Sequence, residues 1–141
     1  ADLYEKNILK DVTSDKFLPN QPIKRHEFAG ILARALDLSG TKDVQAAMDN
    51  GLLKTTKDGA LSRQEAIWML MNAYKLQTGE DITGSALPFK DAKQIDKDYQ
   101  AAVASSVEKG FISGDKDGKF MPNQPLTRAH AAKVVSIMLQ Q

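Results

Sequence analysis

Three arginines stand in closely similar settings: Ile23-Lys24-Arg25-His26-Glu27, Leu61-Ser62-Arg63-Gln64-Glu65 and Leu126-Thr127-Arg128-Ala129-His130. Ser62 and Thr127 are N-cap residue types, whose hydroxyl accepts from first-turn amides. Each arginine therefore falls one residue inside a helix N-terminus. Unpaired N–H groups and the positive end of the helix dipole favour anions there. A guanidinium at that point can hold a carboxylate through two parallel hydrogen bonds. The chemistry open to Arg25, Arg63 and Arg128 is thus capture of an anion. The alternative is bracing, in which each arginine pairs with a glutamate or a helix C-terminus of a neighbouring segment. A first-turn cation opposes the dipole unless something offsets it, so its threefold use calls for one purpose or the other.

The residues around the arginines complete the candidate set. Glu27 and Glu65 stand two positions further on, and Thr127 caps the last copy. Asn20 and Asn123 precede the first and third arginines and could turn the loop or hydrogen-bond to a ligand. Trp68, the single tryptophan, aligns with Gly30 and Lys133, on the side of its helix opposite the apolar face. It could stack on a ligand ring or pack against a neighbouring segment. Of the three arginines Arg128 is expected to matter most, because its copy keeps every element. Arg63 is expected to matter less, because its own loop is short.

The elements that must position these groups repeat. Phe17-Leu-Pro-Asn-Gln-Pro-Ile-Lys-Arg25 and Phe120-Met-Pro-Asn-Gln-Pro-Leu-Thr-Arg128 agree at six of nine positions, and the register extends without a gap at an offset of 103 residues. A third copy lies between them with a loop six residues shorter: Gly51 to Arg63 is 12 residues, against 18 for Gly110 to Arg128. Asn7, Gly51 and Gly110 mark the end of a first helix, since these types best tolerate the left-handed conformation. Phe28, Ala29, Leu32, Ala35 and Leu36 share one face of a second helix, as do Ala66, Ile67, Leu70, Ala73 and Tyr74. Ser62 and Glu65 have the spacing of a capping box. Residues 77–90 read as the longest linker, and no segment alternates with period two. The expected fold is all-α, a single domain over 1–141 with repeats at 1–40, 41–79 and 80–141.

Composition removes several functions. Nineteen basic residues against eighteen acidic leave +1, so no global field draws in nucleic acid, and a polyanion needs a local site. The lack of cysteine removes thiol nucleophiles and zinc-thiolate sites. The longest apolar run, Ala66 to Met71, is far short of a membrane span. Asp115-Lys-Asp-Gly-Lys-Phe120 has its glycine fourth, not sixth, which argues against a calcium loop. His26 and His130 lack ligand spacing and are expected between repeats or at the surface. No nucleophile, base and orienter assemble, so neither catalysis nor a metal or cofactor is expected. The chain opens on Ala1, as expected of a mature or excised piece of a longer product, and residues upstream would supply the missing first helix.

Residues 110–139, Gly-Phe-Ile-Ser-Gly-Asp-Lys-Asp-Gly-Lys-Phe-Met-Pro-Asn-Gln-Pro-Leu-Thr-Arg-Ala-His followed by an Ala-rich helix, resemble the S-layer homology motif. Its signature is a Gly-containing turn, an Asp-Gly-x-Phe-x-Pro loop and Thr-Arg-Ala-Glu opening a helix. Residues 89–110 resemble the upstream half, with Tyr99 where the family has Trp. The sequence departs from the pattern at Lys24, His26 and His130, and in the shortened middle loop. The resemblance implies a pseudo-threefold, three-pronged bundle of helix-loop-helix repeats. It also implies a module on the bacterial cell surface that anchors a larger protein to peptidoglycan-linked secondary cell-wall polysaccharide, often pyruvylated, in grooves between repeats. A ketal pyruvate is a carboxylate of the kind Arg25, Arg63 and Arg128 could read. The departures keep open a second role, a degenerate scaffold for protein–protein interaction or regulation at the wall.

Overall fold

A computed structural model of the chain describes residues 19–38, 43–55 and 57–140. The three arginine loops close on one another through their main chains. Ile23 N donates to Leu126 O at 2.8 Å, and Leu126 N donates to Leu61 O at 2.9 Å. The arginine amides complete a cycle: Arg25 N donates to Gly59 O, Arg63 N to Gln124 O and Arg128 N to Gln21 O, at 2.8–2.9 Å. Each acceptor lies four residues ahead of the next arginine, so every loop serves its neighbour in the same way. Isolated antiparallel bridges, Pro22–Thr127, Lys24–Ala60 and Ser62–Pro125, mark the three junctions. No sheet forms among the described residues. Ile23, Leu61 and Leu126, one from each loop, are buried at this ring.

A helix leaves the ring from each arginine: α1 (Arg25–Ala35), and two later ones at Arg63–Thr78 and Arg128–Leu139. Between them stand α2 (Asp43–Asp49) and, after α3 (Arg63–Thr78), α4 (Lys97–Glu108), with α5 (Arg128–Leu139) last. The chain is all-α over the described residues, as expected. α1, α3 and α5 each touch the other two, while α2 packs on α1 and α4 on α3. A first helix therefore leans on the second helix of the copy before it. Phe28, Ile31 and Leu32, Ile67 and Leu70, and Val134, Val135 and Met138 fill the shared core. α3 has partners on several sides and buries Met69, Met71 and Tyr74 as well.

Local chemistry sets the helix ends. Gly51 and Gly110 adopt φ of 77° and 76°. The amides after them reach back five residues, Leu52 N to Ala47 O and Phe111 N to Ser106 O, both at 2.9 Å. The corresponding Asn7 lies outside the described residues, as do Phe17 and Leu18. Ser62 Oγ accepts from Glu65 N at 3.3 Å and Thr127 Oγ1 from His130 N at 3.1 Å. The capping box expected at Ser62 is only half made, because the Glu65 carboxylate is drawn to Arg25. The glutamate half forms in the first copy instead, where Lys24 N donates to Glu27 Oε1 at 3.1 Å.

The short middle loop still closes the ring by substitution. Gln64 N donates to Pro122 O at 3.1 Å and Ala129 N to Pro19 O at 3.0 Å. The equivalent donor, His26 N, finds the Asp58 carboxylate at 3.0 Å, where the other two junctions use a proline carbonyl. Burial opposes ionisation of Asp58, but amide donors from His26 and Gly59 outweigh it and hold its pKa below the ordinary value. The ring makes a direct prediction. Leu61→Ala, at a fully buried position, should lose about 2–5 kcal/mol in urea unfolding. Leu76→Ala, at the one large apolar side chain exposed among the described residues (45%), should stay within about 0.5 kcal/mol. Similar losses at the two sites would mean that the loops do not organise the core.

Candidate functional site

The side chains of the arginines repeat the cycle of their amides. Arg25 Nε and Nη2 donate to both Glu65 oxygens at 2.5 and 3.0 Å. Arg128 Nη1 donates to Glu27 Oε2 at 2.6 Å. Arg63 Nη1 lies 2.8 Å from His130 Nδ1. In each case the partner stands two residues past the next arginine. Two guanidinium groups also take a carbonyl of the neighbouring loop, Arg25 Nη1 from Lys57 and Arg63 Nε from Phe120, both at 2.8 Å. Arg25 and Arg128 are thus braces between repeats, with their ion pairs largely shielded from solvent. The hydrogen bond to Glu65 raises the Arg25 pKa despite burial.

Arg63 differs because its partner is histidine. A guanidinium has only donors, so His130 Nδ1 must accept and the ring proton sits on Nε2. Burial first, then the charges of Arg63 and Lys133, lower the His130 pKa to about 4, so the ring is neutral at pH 7. Burial also lowers the Arg63 pKa, though a guanidinium remains charged at neutral pH. Among the described residues no carboxylate pairs with Arg63, and its Nη2 makes no hydrogen bond. The face of Phe120 lies 5.2 Å from its Cζ.

This guanidinium lines a cavity of about 480 Å³ together with His130, Lys133, Lys119, Phe120 and Asp115. Three cations face one carboxylate. Asp115 is already engaged: its Oδ1 accepts from Lys119 N at 2.9 Å and Asp117 N at 2.8 Å, which lowers its pKa. The Asp115–Phe120 stretch therefore folds as a tight turn that forms one wall. Asp91, buried, anchors that wall by accepting from Phe120 N and Met121 N at 2.9 Å each. Met121 is held there at φ 63°. Gln64, also buried, ties the same loop to α4 through Asn123 Oδ1 at 3.1 Å and Asp96 N at 2.9 Å.

The other sequence candidates fall elsewhere. Asn123 serves the loop through Gln64, Asn20 is exposed, and Thr127 caps α5 without lining the cavity. Trp68 is only partly buried, but it packs against the core rather than standing free. Lys54 Nζ lies 4.8 Å from its ring and 4.3 Å from that of Tyr99, so the ammonium sits on both aromatic rings. The position shared by Gly30, Trp68 and Lys133 flanks the junction between repeats, because α3 is packed on several sides and has no fully solvent-facing stripe. Each groove joins the arginine of one copy to the loop of the next, and Arg63 therefore faces the complete third loop. Lys119, Lys133, Asp91 and Gln64 were not singled out from sequence. The alignment of Lys133 with Trp68 was the available signal.

A sequence model of the S-layer homology domain matches residues 1–29 and 88–132. A surface-layer 125 kDa protein of Lysinibacillus sphaericus is 35% identical over 98 residues, covering 65% of this chain and 8% of that protein. An endoglucanase of Bacillus sp. (strain KSM-635) is 25% identical over 159 aligned positions, 98% of this chain and 17% of the enzyme. An amylopullulanase of Thermoanaerobacterium thermosulfurigenes is 25% identical over 162, 99% of this chain and 9% of the enzyme. The chain spans less than a fifth of each.

The neutral His130 gives a pH prediction. Its folded pKa, about 4, lies below the ordinary 6.5, so the unfolded chain binds the extra proton between those values. The stability it supports is complete above pH 6.5 and is lost as pH falls towards 4. The full gap corresponds to about 3 kcal/mol at 1.36 kcal/mol per unit, and partial solvation reduces it to about 1–2 kcal/mol. The unfolding free energy from urea titrations should fall between pH 7 and 4.5 by that much more for the wild type than for His130→Gln. Equal pH dependence in the two proteins would place the ring in water.

Proposed function

The chain belongs to the S-layer homology domain family, and on that premise we propose that it is a non-catalytic anchor holding a larger surface protein to the bacterial cell wall. Its ligand is an anionic secondary cell-wall polysaccharide. Nearly the whole chain matches an endoglucanase and an amylopullulanase, yet only 17% and 9% of those proteins take part. A segment shared by proteins with different names and activities suits attachment better than catalysis. No described helix is long and apolar enough to cross a membrane.

The observation that carries the ligand class is the guanidinium of Arg63, charged, half withdrawn from water and hydrogen-bonded to no carboxylate among the described residues, beside Lys119 and Lys133, with Asp115 and Asp91 acting on it only through space. A sugar carboxylate supplies the missing counterion. A pyruvate ketal fits this role, since it fixes an ionised carboxylate to a rigid ring. A cavity of about 480 Å³ is of the scale that takes a small ligand rather than a helix. The ionic strength of the medium should matter, because two of the three cations lie on exposed lysines.

The competing role, docking a protein partner, draws support from Arg25 and Arg128 being used internally. A pull-down on purified wall sacculi, with and without their secondary polymer, separates the two. Binding should require the polymer, weaken with salt and fall after mild acid removes pyruvate. Arg63→Lys should weaken it despite the retained charge, because an ammonium cannot reach Phe120 O, His130 and a ligand together. Arg63→Ala should cost more, about 1.5–3 kcal/mol or roughly ten- to a hundredfold. Polymer-independent binding, or normal binding by both variants, would transfer the function to protein docking.

A further inference from the structure

Asp91 does not serve the segment it belongs to. It precedes the short 3-10 turn Ala92–Gln94, a position from which an aspartate ordinarily accepts from the amides of the turn that follows. Its side chain makes no such bond. The two carboxylate oxygens instead reach 29 and 30 residues along the chain, where Oδ1 accepts from Phe120 N and Oδ2 from Met121 N, both at 2.9 Å. The residues before it grip the same turn. Lys90 N donates to Gly118 O at 2.9 Å, and the Phe89 and Phe120 rings lie 5.3 Å apart. A Cβ on Gly114 would come within 3.3 Å of the Phe89 ring, so the turn follows that ring closely.

Phe120 is held from both sides. Asp91 takes its N–H, Arg63 Nε donates to its carbonyl at 2.8 Å, and its ring lies 5.2 Å from the Arg63 Cζ. Successive amides that converge on one anion form a concave nest, a conformation that commonly includes a left-handed residue. Here that residue is Met121, at φ 63°. The conformation is unfavourable for a residue with a Cβ, and it runs against the extended backbone preferred before a proline such as Pro122. A buried carboxylate that accepts from both amides offsets that cost. Without it the loop would relax to a commoner backbone, and Phe120 O and the Phe120 ring would move off the guanidinium.

We propose that Asp91 is the positioning residue of the Arg63 groove: by holding the Phe120 and Met121 amides it fixes Phe120 against the guanidinium, and the affinity of the groove for its anionic ligand depends on that grip. The inference rests on the preceding assignment of that groove to an anionic wall polymer and adds the residue that shapes it. Asp91 does not line the cavity and is not hydrogen-bonded to Arg63, although its charge favours the guanidinium through space. The two actions have opposite signs. As a charge alone, Asp91 repels an incoming anion, and neutralising it would tighten binding. As a positioning residue, it is needed for binding, and neutralising it weakens the complex.

The test measures binding to purified wall sacculi that carry their secondary polymer, at one salt concentration. Asp91→Asn keeps the side chain's size but offers one acceptor to two amides, and it should bind at least about tenfold more weakly. Asp91→Glu keeps the charge and displaces the oxygens, and it should lose at least about threefold; it carries the test should Asp91→Asn not fold. Adding Met121→Gly to Asp91→Asn should recover at least about threefold, because glycine takes φ 63° without strain. Ile31→Ala, fully buried in α1, should melt lower yet bind within about twofold of wild type. The Arg63 Nε–H resonance should move in both Asp91 variants and stay in place in Ile31→Ala. Binding by Asp91→Asn as tight as wild type or tighter, no recovery with Met121→Gly, or an equal loss in Ile31→Ala would overturn the positioning role alone. A wild type whose binding to sacculi does not need the polymer would overturn the assignment of the groove, and this inference with it.

Discussion

Everything in this fold follows from three loops that hydrogen-bond to one another head to tail. Each loop donates the first amide of its helix to the loop next to it, so three helix N-termini converge on one ring. That convergence buries Ile23, Leu61 and Leu126 and fixes the angles at which α1, α3 and α5 leave. It also gathers three positive helix ends and three arginines in one region. Counter-charge is therefore a structural requirement at the ring, and the position two past each arginine is where the chain can supply it.

The chain meets that requirement unevenly. Glu65 and Glu27 neutralise Arg25 and Arg128 within the protein, in pairs shielded enough for their geometry to matter. Asp58 does a related service for the shortened loop, where a carboxylate takes the amide that a proline carbonyl takes at the other two junctions. Arg63 alone receives a neutral partner. Its location follows from the same geometry: the groove wall belongs to the next copy, so the arginine with the shortest loop of its own faces the most complete loop in the molecule. The sequence-based ranking put Arg128 first because it judged each copy by itself.

Much of the fold was legible because it is local. The repeated nine-residue loops, the caps at Ser62 and Thr127, and the left-handed glycines at 51 and 110 are each decided within a few residues. The partners of the arginines were not legible, since the pairs span 40, 67 and 101 positions. Glu65 was read as half of a capping box because Ser62 is close in sequence, whereas Arg25 is close in space and offers charge as well as hydrogen bonds. His130 was noticed as a departure from the motif's glutamate, but not as a lost counterion. Trp68 was placed opposite the apolar face by helical periodicity, which does not account for a helix packed on several sides. Asp91 and Gln64 carry no periodic or motif signal; buried, Asp91 accepts from two backbone amides of a distant loop, and Gln64 joins Asn123 to the amide of Asp96.

A guanidinium half removed from water without a carboxylate is unfavourable for the folded chain, and nothing in the ring's geometry forces it, since glutamate fits the same position twice. Hydrogen bonds to Phe120 O and His130, with the Phe120 ring beneath, recover part of the lost hydration while leaving the charge intact. Asp91 and Gln64 then hold the facing loop rigid, including Met121 in a backbone conformation few methionines adopt. Asp115 and Asp91 favour the Arg63 charge through space, but neither is hydrogen-bonded to it, so the walls around this guanidinium are rigid without closing on it as an ion pair. At two junctions the ring supplies its own counter-charge, and at the third it leaves Arg63 to a carbonyl, a neutral ring and an aromatic face.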